Sequence, residues 1–452
     1  MLDPKVFKAY DVRGIYPDEL DEDGAYAIGR AYAEQFQPRR IAVGRDMRLS
    51  APSMSQAVMS GVAESGAEVL DLGMVGTEMV YFAVGSLGLD GGIAVTASHN
   101  PKQYTGMKIV RAGALPVGGE SGLLDIRDRA MSAVGSRGQT RVEASKVVPY
   151  DIWPAYVDRV LSFVDVDEIK PLRVVIDTAN GMGGAMLPPV LERLPIEAIR
   201  CYFEPDGTFP NHEPNPLLPE NREFIVKKTL EEKADLGVAF DGDADRCFFV
   251  DDVGEFVPGD FATALMAEAV LEKEPGAKVI YDVRASWAVP ETIERAGGIP
   301  VVSRVGHAFI KHVMRQEEAA FGGEVSGHYY FRDFSQADTG VVPFLVMLEL
   351  VSKKGQKQKL SEILRPFRER YFITGELNTP VADVDAVLQR LEERYSDEGT
   401  VSHLDGVSVD AGDWHMNVRP SNTEPLLRLN LEARTKEHME RKRDEVLSEI
   451  RA

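Results

Sequence analysis

Six residues, Thr96-Ala97-Ser98-His99-Asn100-Pro101, follow the apolar run Gly92-Ile93-Ala94-Val95. An apolar run closed by a polar hexapeptide and a proline predicts a strand ending in a tight, exposed loop. A serine there has its hydroxyl on a rigid support with a histidine beside it, a setting for accepting a phosphoryl group and handing it on. A polar turn in which Ser98 or Asn100 bonds its own backbone accounts for the same residues, so the other constellations decide.

Asp241-Gly242-Asp243-Ala244-Asp245-Arg246 follows the apolar run Leu236 to Phe240. Carboxylates at i, i+2 and i+4 repel one another, and a hard divalent cation relieves that repulsion. An EF-hand calcium loop is excluded, because Arg246 stands at the sixth position in place of glycine and Asp252 at the twelfth in place of glutamate. Three acidic side chains suggest an open magnesium site whose shell a phosphate oxygen completes. The competing reading is an acidic surface turn.

A third loop, Gly322-Gly323-Glu324-Val325-Ser326-Gly327-His328, spaces a carboxylate and a hydroxyl by two. On extended backbone both would point one way and could grip neighbouring sugar hydroxyls, while His328 could exchange a proton with a reacting hydroxyl. A glycine-rich hairpin with solvated side chains is the alternative. The fourth loop, Arg419-Pro420-Ser421-Asn422-Thr423-Glu424-Pro425, combines a cation, two hydroxyls and an amide between two prolines, the donors an unreactive phosphate needs, or else a self-satisfied β-turn. Tyr10-Asp11-Val12-Arg13-Gly14 reads as a solvated turn. Lys108, in the strand Gly106-Met107-Lys108-Ile109-Val110, reads first as a lysine on an exposed face.

The elements that must position these loops alternate between short apolar strands and helices, an α/β layer pattern. Ile41-Ala42-Val43 precedes a helix from about Pro52 to Ser65; Val174-Val175-Ile176 and Val279-Ile280-Tyr281 are followed likewise. Each is succeeded by a second strand leading to one polar loop, so the rhythm occurs three times. The last segment differs: a helix near Val384–Tyr395, strands around Val407–Val409, His415–Val418 and Leu426–Leu431, and a terminal helix with Met439, Val446, Leu447 and Ile450 on one face. Asn180-Gly181-Met182-Gly183-Gly184 follows a strand as dinucleotide fingerprints do, but Met186 occupies the third glycine position. The sequence contains no GxxxxGK[ST], HExxH or GxSxG.

A chain of 452 residues exceeds one hydrophobic core. Its net charge of −21 argues against nucleic acid and anionic membranes, and any phosphate site must be a local pocket of Lys and Arg. Cys201 and Cys247 form neither a disulfide framework nor a CxxC pair. Met1-Leu2-Asp3-Pro4-Lys5 has no signal pattern, and the apolar run Val341 to Val351, interrupted by Pro343 and Glu349, reads as a buried helix. A reducing cytoplasm is the expected location.

Taken in order, Tyr10–Gly14, Thr96–Pro101, Asp241–Arg246, Gly323–His328 and Arg419–Pro425 resemble the α-D-phosphohexomutase family over essentially the whole chain. The serine loop, and Gly323–His328 followed by Tyr329-Tyr330-Phe331-Arg332-Asp333, are most similar to its bacterial phosphomannomutase/phosphoglucomutase branch. The resemblance implies an α/β fold of four domains around a central cleft. These are α/β domains at 1–147 with the phosphoserine loop, 148–252 with the metal loop and 253–366 with the sugar loop, then an α+β domain at 367–452 with the phosphate loop.

It implies interconversion of hexose 6-phosphate and hexose 1-phosphate through a phosphoserine and a hexose 1,6-bisphosphate, the latter also an activator. Ser98, Lys108, Arg246, His328 and Arg13 would be catalytic. Tyr10, Arg284, His307, Glu324, Ser326, Arg419, Ser421, Asn422 and Thr423 would bind substrate. Magnesium would lie between Asp241, Asp243, Asp245 and phosphorylated Ser98. Arg284 stands where related mutases often carry lysine, which keeps the charge but changes the donor geometry. The implied partner is a mannose or glucose phosphate, with no nucleic acid or membrane, in a monomer or homodimer. Phosphoglucosamine mutation, metal-dependent sugar-phosphate hydrolysis and non-catalytic sugar-phosphate binding are the alternatives.

Overall fold

Runs such as Gly91–Val95, Leu236–Phe240 and Cys247–Asp251 are buried at every position, as central strands with both faces covered must be. In the computed structural model, which describes residues 2–134, 146–354, 358–421 and 426–452, they lie inside mixed sheets. Asn422 and Thr423 lie outside the described residues. The chain divides into two compact units, Met1–Val257 with Ser326–Lys359, and Pro258–Val325 with Leu360–Ala452.

The first unit holds two sheets of similar plan. In one, Glu68–Met74, Arg40–Arg45 and Gly91–Val95 run parallel, and Tyr104–Arg111 then Val12–Ile15 add antiparallel. In the other, Glu197–Cys201, Arg173–Asp177 and Leu236–Phe240 run parallel, and Cys247–Asp251 then Phe256–Val257 add antiparallel. Both therefore place a polar loop at the carboxyl end of a parallel strand, just before an antiparallel return. The antiparallel return also carries Lys108 into place, since Lys108 pairs with Ala94, four residues before Ser98.

In the second unit, Ile299–Ser303, Lys278–Asp282 and Phe321–Gly323 are parallel. A five-stranded antiparallel sheet runs in the order Phe372–Pro380, Leu426–Ala433, Trp414–Pro420, Val407–Asp410, Thr400–Ser402. The helix Val384–Tyr395 starts where Asp383 accepts a hydrogen bond from the Ala386 amide, and Lys436–Arg451 where Thr435 accepts one from the His438 amide. Met439, Val446 and Ile450 of the terminal helix are buried in this core, with Leu447 packed against it.

The apolar run after residue 340 forms the helix Val341–Lys354. Its Glu349 is buried and paired with Lys353 at 3.1 Å. Among the described residues, no helix is long and apolar enough to cross a membrane. Both cysteines are buried and free.

Candidate active site

Ser98 sits at φ 50°, in the left-handed region that a non-glycine residue occupies only when its surroundings impose it. The imposing group is Arg48. Its Nη2 donates to the carbonyls of Ser98 at 2.8 Å and Asn100 at 2.5 Å, and its Nη1 to those of Pro101 at 2.9 Å and Tyr104 at 3.2 Å. Arg48 is 2% exposed and its charge is answered by Asp46, 3.3 Å from Nε. The Ser98 amide donates to Thr96 Oγ1 at 2.9 Å. The loop is thus held from its main chain, leaving the Ser98 hydroxyl to face its neighbours.

Those neighbours are the aspartate loop. Ser98 Oγ donates to Asp241 Oδ2 at 3.3 Å and lies 3.1 Å from His99 Nδ1. Close approach of the two loops depends on Gly242, where a Cβ would come within 2.3 Å of the Ser98 carbonyl oxygen. Gly181, in the segment that mimics a dinucleotide fingerprint, packs its own backbone on Gly242, and the Met182 amide donates to the Gly242 carbonyl at 2.8 Å. Those glycines support the aspartate loop.

Asp241, Asp243 and Asp245 are all fully buried, and one oxygen from each lies within 4.8 Å of the others. Lys108 is buried, not on an exposed face. Its Nζ donates to Asp243 Oδ2 at 2.7 Å and to Asp245 Oδ2. Arg246 Nε donates to Asp241 Oδ2 at 2.8 Å. Burial raises Asp241 and Asp245 above the usual carboxylate range, whereas Lys108 and the Thr77 hydroxyl outweigh burial at Asp243 and hold it below that range. The two aspartates beside Lys108 in turn keep its ammonium charged despite burial.

The donor set fits a divalent cation. Three acids converge on two cations, Lys108 and Arg246, so the acids outnumber the bases paired with them. A phosphoryl group on Ser98 would add roughly −2. Asp243 Oδ1 and Asp245 Oδ1 are buried without a hydrogen-bond partner among the described residues, at a cost of about 1–3 kcal/mol each if left so. All-oxygen donors with vacancies for water or phosphate are the preference of magnesium.

Arg13 Nη1 donates to Asn100 Oδ1 and Arg13 Nε to Asp11 at 2.8 Å, which ties the N-terminal segment to the serine loop. Tyr10 lies in the bend just before the Val12–Ile15 strand. His328 Nε2 lies 3.8 Å from Asp245 Oδ1, and its Nδ1 is 3.0 Å from Ser326 Oγ. Burial, then the charges of Arg246, Arg13, Lys108 and Arg48, hold the His99 imidazole well below its usual value, so it is neutral.

The expectation that Glu324 and Ser326 alternate along a strand is corrected. The strand ends at Gly323, and Val325 and Ser326 form a turn closed by Gly327 at φ 82°. The period of two therefore stops before Ser326.

In the second unit Arg284 is gripped by Asp282, Nε to Oδ1 at 2.8 Å and Nη2 to Oδ2 at 2.9 Å. Its Nη2 is 3.6 Å from Glu324 Oε2. Glu376 gathers Arg284 at 3.5 Å, Arg419 at 3.0 Å and Arg428 at 2.6 Å. Those three guanidiniums hold the Glu376 carboxyl below its usual range against the effect of burial. Arg428 Nη2 reaches Ser421 Oγ at 3.4 Å. His307 opens the helix His307–Glu317, after Gly306.

Sequence reasoning missed Asp46, Arg48 and Thr77 in the first unit, and Asp282, Glu376 and Arg428 in the second. The signal for Arg48 was present: Arg45-Asp46-Met47-Arg48 closes a parallel strand, the same place in the sheet as the serine loop.

Comparison with known proteins covers nearly the whole chain. Models of the phosphoglucomutase/phosphomannomutase family match residues 4–130 (alpha/beta/alpha domain I), 154–254 (domain II), 258–371 (domain III) and 376–449 (C-terminal domain). A phosphohexose mutase of Xanthomonas campestris pv. campestris is 45% identical over 430 residues, 95% of each chain. A phosphomannomutase of Salmonella montevideo is 45% identical over 440 residues, 95% of this chain and 94% of that one. The crystal structure of a phosphoglucomutase/phosphomannomutase family protein from Burkholderia thailandensis superimposes with a TM-score of 0.88 at 31% identity, covering 99% of this chain and 97% of that one. Fold and site together define an isomerase of the mutase type. The chain belongs to the phosphoglucomutase/phosphomannomutase family.

Proposed function

We propose that this protein interconverts hexose 6-phosphate and hexose 1-phosphate, acting on mannose and glucose alike, through phosphorylated Ser98 and a hexose 1,6-bisphosphate. The observation that carries the reading is the Ser98 hydroxyl 3.3 Å from Asp241, at the edge of a buried aspartate trio whose acids outnumber the cations paired with them. The domains are proposed to divide as 1–147, 148–252, 253–366 and 367–452.

In the forward step a free sugar hydroxyl forms a P–O bond to the phosphoryl group as the Ser98 Oγ–P bond breaks, and the electron pair stays on Oγ. Lys108, cationic between Asp243 and Asp245, and Arg246, fixed on Asp241, offset charge on the transferring oxygens. Arg13 supports the serine loop through Asn100. Arginine stays charged in proteins, and Lys108 is held protonated. That leaves His328, its Nδ1 beside Ser326 Oγ, to take the hydroxyl proton, and a proton returns to the departing Oγ so that Ser98 ends as a free hydroxyl.

Asp241, Asp243 and Asp245, with a phosphoserine oxygen, would hold magnesium, which when bound supplies Lewis-acid stabilisation of phosphoryl charge. The bisphosphate then turns, and Ser98 takes back the other phosphoryl group. The phosphate that is not reacting calls for cations and a hydroxyl, a demand that Arg419, Arg428, Arg284 and Ser421 of the second unit suit. Tyr10, His307, Asn422 and Thr423 are proposed substrate contacts. Glu324, beside Arg284, is proposed to hold the sugar O3 and O4 hydroxyls together with Ser326. Glucose and mannose differ only at C2 and share their configuration at C3 and C4, so contacts to O3 and O4 do not distinguish them.

The test is a coupled mutase assay on mannose, glucose and glucosamine phosphates with a bisphosphate activator, alongside release of free phosphate. Comparable rates on mannose and glucose are expected. Free phosphate as the main product would make the protein a phosphatase, and a preference for glucosamine would make it a phosphoglucosamine mutase. Ser98→Ala should abolish turnover while leaving the fold intact; full activity would remove the phosphoserine from the scheme.

A further inference from the structure

Thr77 is the first residue of the helix Thr77–Ser86 and is 2% exposed. Its hydroxyl reaches across 166 residues of sequence to donate to Asp243 Oδ2 at 2.5 Å. Lys108 Nζ donates to that same oxygen at 2.7 Å. Asp243 Oδ1 is buried and makes no hydrogen bond among the described residues. One oxygen of the carboxylate therefore carries two donors and the other carries none.

We propose that Thr77 is a positioning residue for the divalent cation. By taking Oδ2, it sets the rotation of the Asp243 carboxylate and turns Oδ1 to the place where the ion is bound. A lysine alone could not do this, because an ammonium group on a flexible stem lets the carboxylate turn. A threonine at the first position of a helix has a stiff side chain on a fixed backbone.

The backbone is fixed independently. Glu78, the next residue, is fully buried and accepts from the Tyr156 hydroxyl at 2.5 Å and from the Gly340 amide at 2.8 Å. Two residues before Thr77, the Val75 amide donates to the Arg45 carbonyl at 2.9 Å. Outer partners of this kind orient a ligand and are worth about ten- to a hundredfold in metal affinity.

This inference rests on the metal reading of the preceding subsection. Its test is binding of Mn2+, followed by the loss of the free-ion electron paramagnetic resonance signal, to the full-length protein without substrate. Thr77→Val keeps the shape and removes the hydroxyl; Thr77→Ser restores the hydroxyl. The dissociation constant should rise by about ten- to a hundredfold in Thr77→Val and stay within about threefold of wild type in Thr77→Ser. Circular dichroism melting reports folding in parallel, and Thr77→Cys replaces Thr77→Val under the same criterion if the latter does not fold.

Wild-type affinity in the folded variant lacking the hydroxyl would overturn the role of Thr77. So would equal weakening in Thr77→Ser. A wild-type protein that turns over substrate yet binds no Mn2+ would instead overturn the metal reading itself.

Discussion

Replacing Arg48 by lysine tests the idea that the nucleophile is held through its main chain. Arg48 serves four carbonyl oxygens from two nitrogens while Nε faces Asp46. A lysine ammonium has three donors at a single point on a shorter stem; with one turned to Asp46, at least two of the four carbonyls should lose their partner. At about 1–3 kcal/mol for each buried group left unsatisfied, the loss is about 2–6 kcal/mol. Domains are stable by about 5–15 kcal/mol, so the variant should fold but weaken measurably.

The functional cost adds to this. Ser98 at φ 50° is held against a backbone preference of about 1–3 kcal/mol, and a looser clamp lets it relax. Displacement of a reacting atom by about 1 Å is worth about a hundredfold in rate. Urea unfolding followed by circular dichroism should show the loss in stability, and steady-state kinetics should show kcat falling about a hundredfold with KM little changed. An Arg48→Lys protein within about 0.5 kcal/mol of wild type and with full kcat would refute the clamp.

Two further outcomes follow from buried charge. Burial outweighs the donors around Glu78 and raises it from 4.5 to about 7. The folded protein then binds the proton more tightly than the unfolded chain. The stability this contributes is complete below pH 4.5 and is lost as pH rises through about 7. At about 1.4 kcal/mol per pH unit, Glu78→Gln should gain roughly 3 kcal/mol on wild type between pH 4.5 and 8. Urea unfolding across that range checks it, and a pH-independent difference would contradict it. Arg428→Ala removes a cation 2.6 Å from Glu376; loss of one charge-assisted bond, about 1.5–3 kcal/mol, should raise KM about ten- to a hundredfold at nearly constant kcat. An unchanged KM would remove Arg428 from the phosphate site.

The sheet strands were legible because five-residue apolar runs closed by Gly, Asp or Thr have few other uses. The terminal helix was legible from Met439, Val446, Leu447 and Ile450 recurring on one face. The aspartate trio was legible because its three members lie within five positions of one another. The place of Arg48 at the end of a parallel strand was legible, but its role was not, because its partners are main-chain carbonyls, which any residue offers. Thr77 was not, because its partner lies 166 positions away. Lys108 was misread because a strand next to a polar loop can bury a charge when two aspartates from another sheet meet it. Glu376 and Arg428 sit on adjacent antiparallel strands whose register, offset by a bulge, no local pattern announces.

Glu376 has one more effect. Three guanidiniums converging on one spot would push one another apart, and side chains as long as arginine would then wander. Glu376, the one carboxylate among the described residues that touches all three, stands where the proposed phosphate would be held. It keeps the three arms extended and gathered, while Asp282 supplies a second counter-charge to Arg284. On the proposed reading, an incoming anion would meet a grip already formed and forfeit little freedom in closing it.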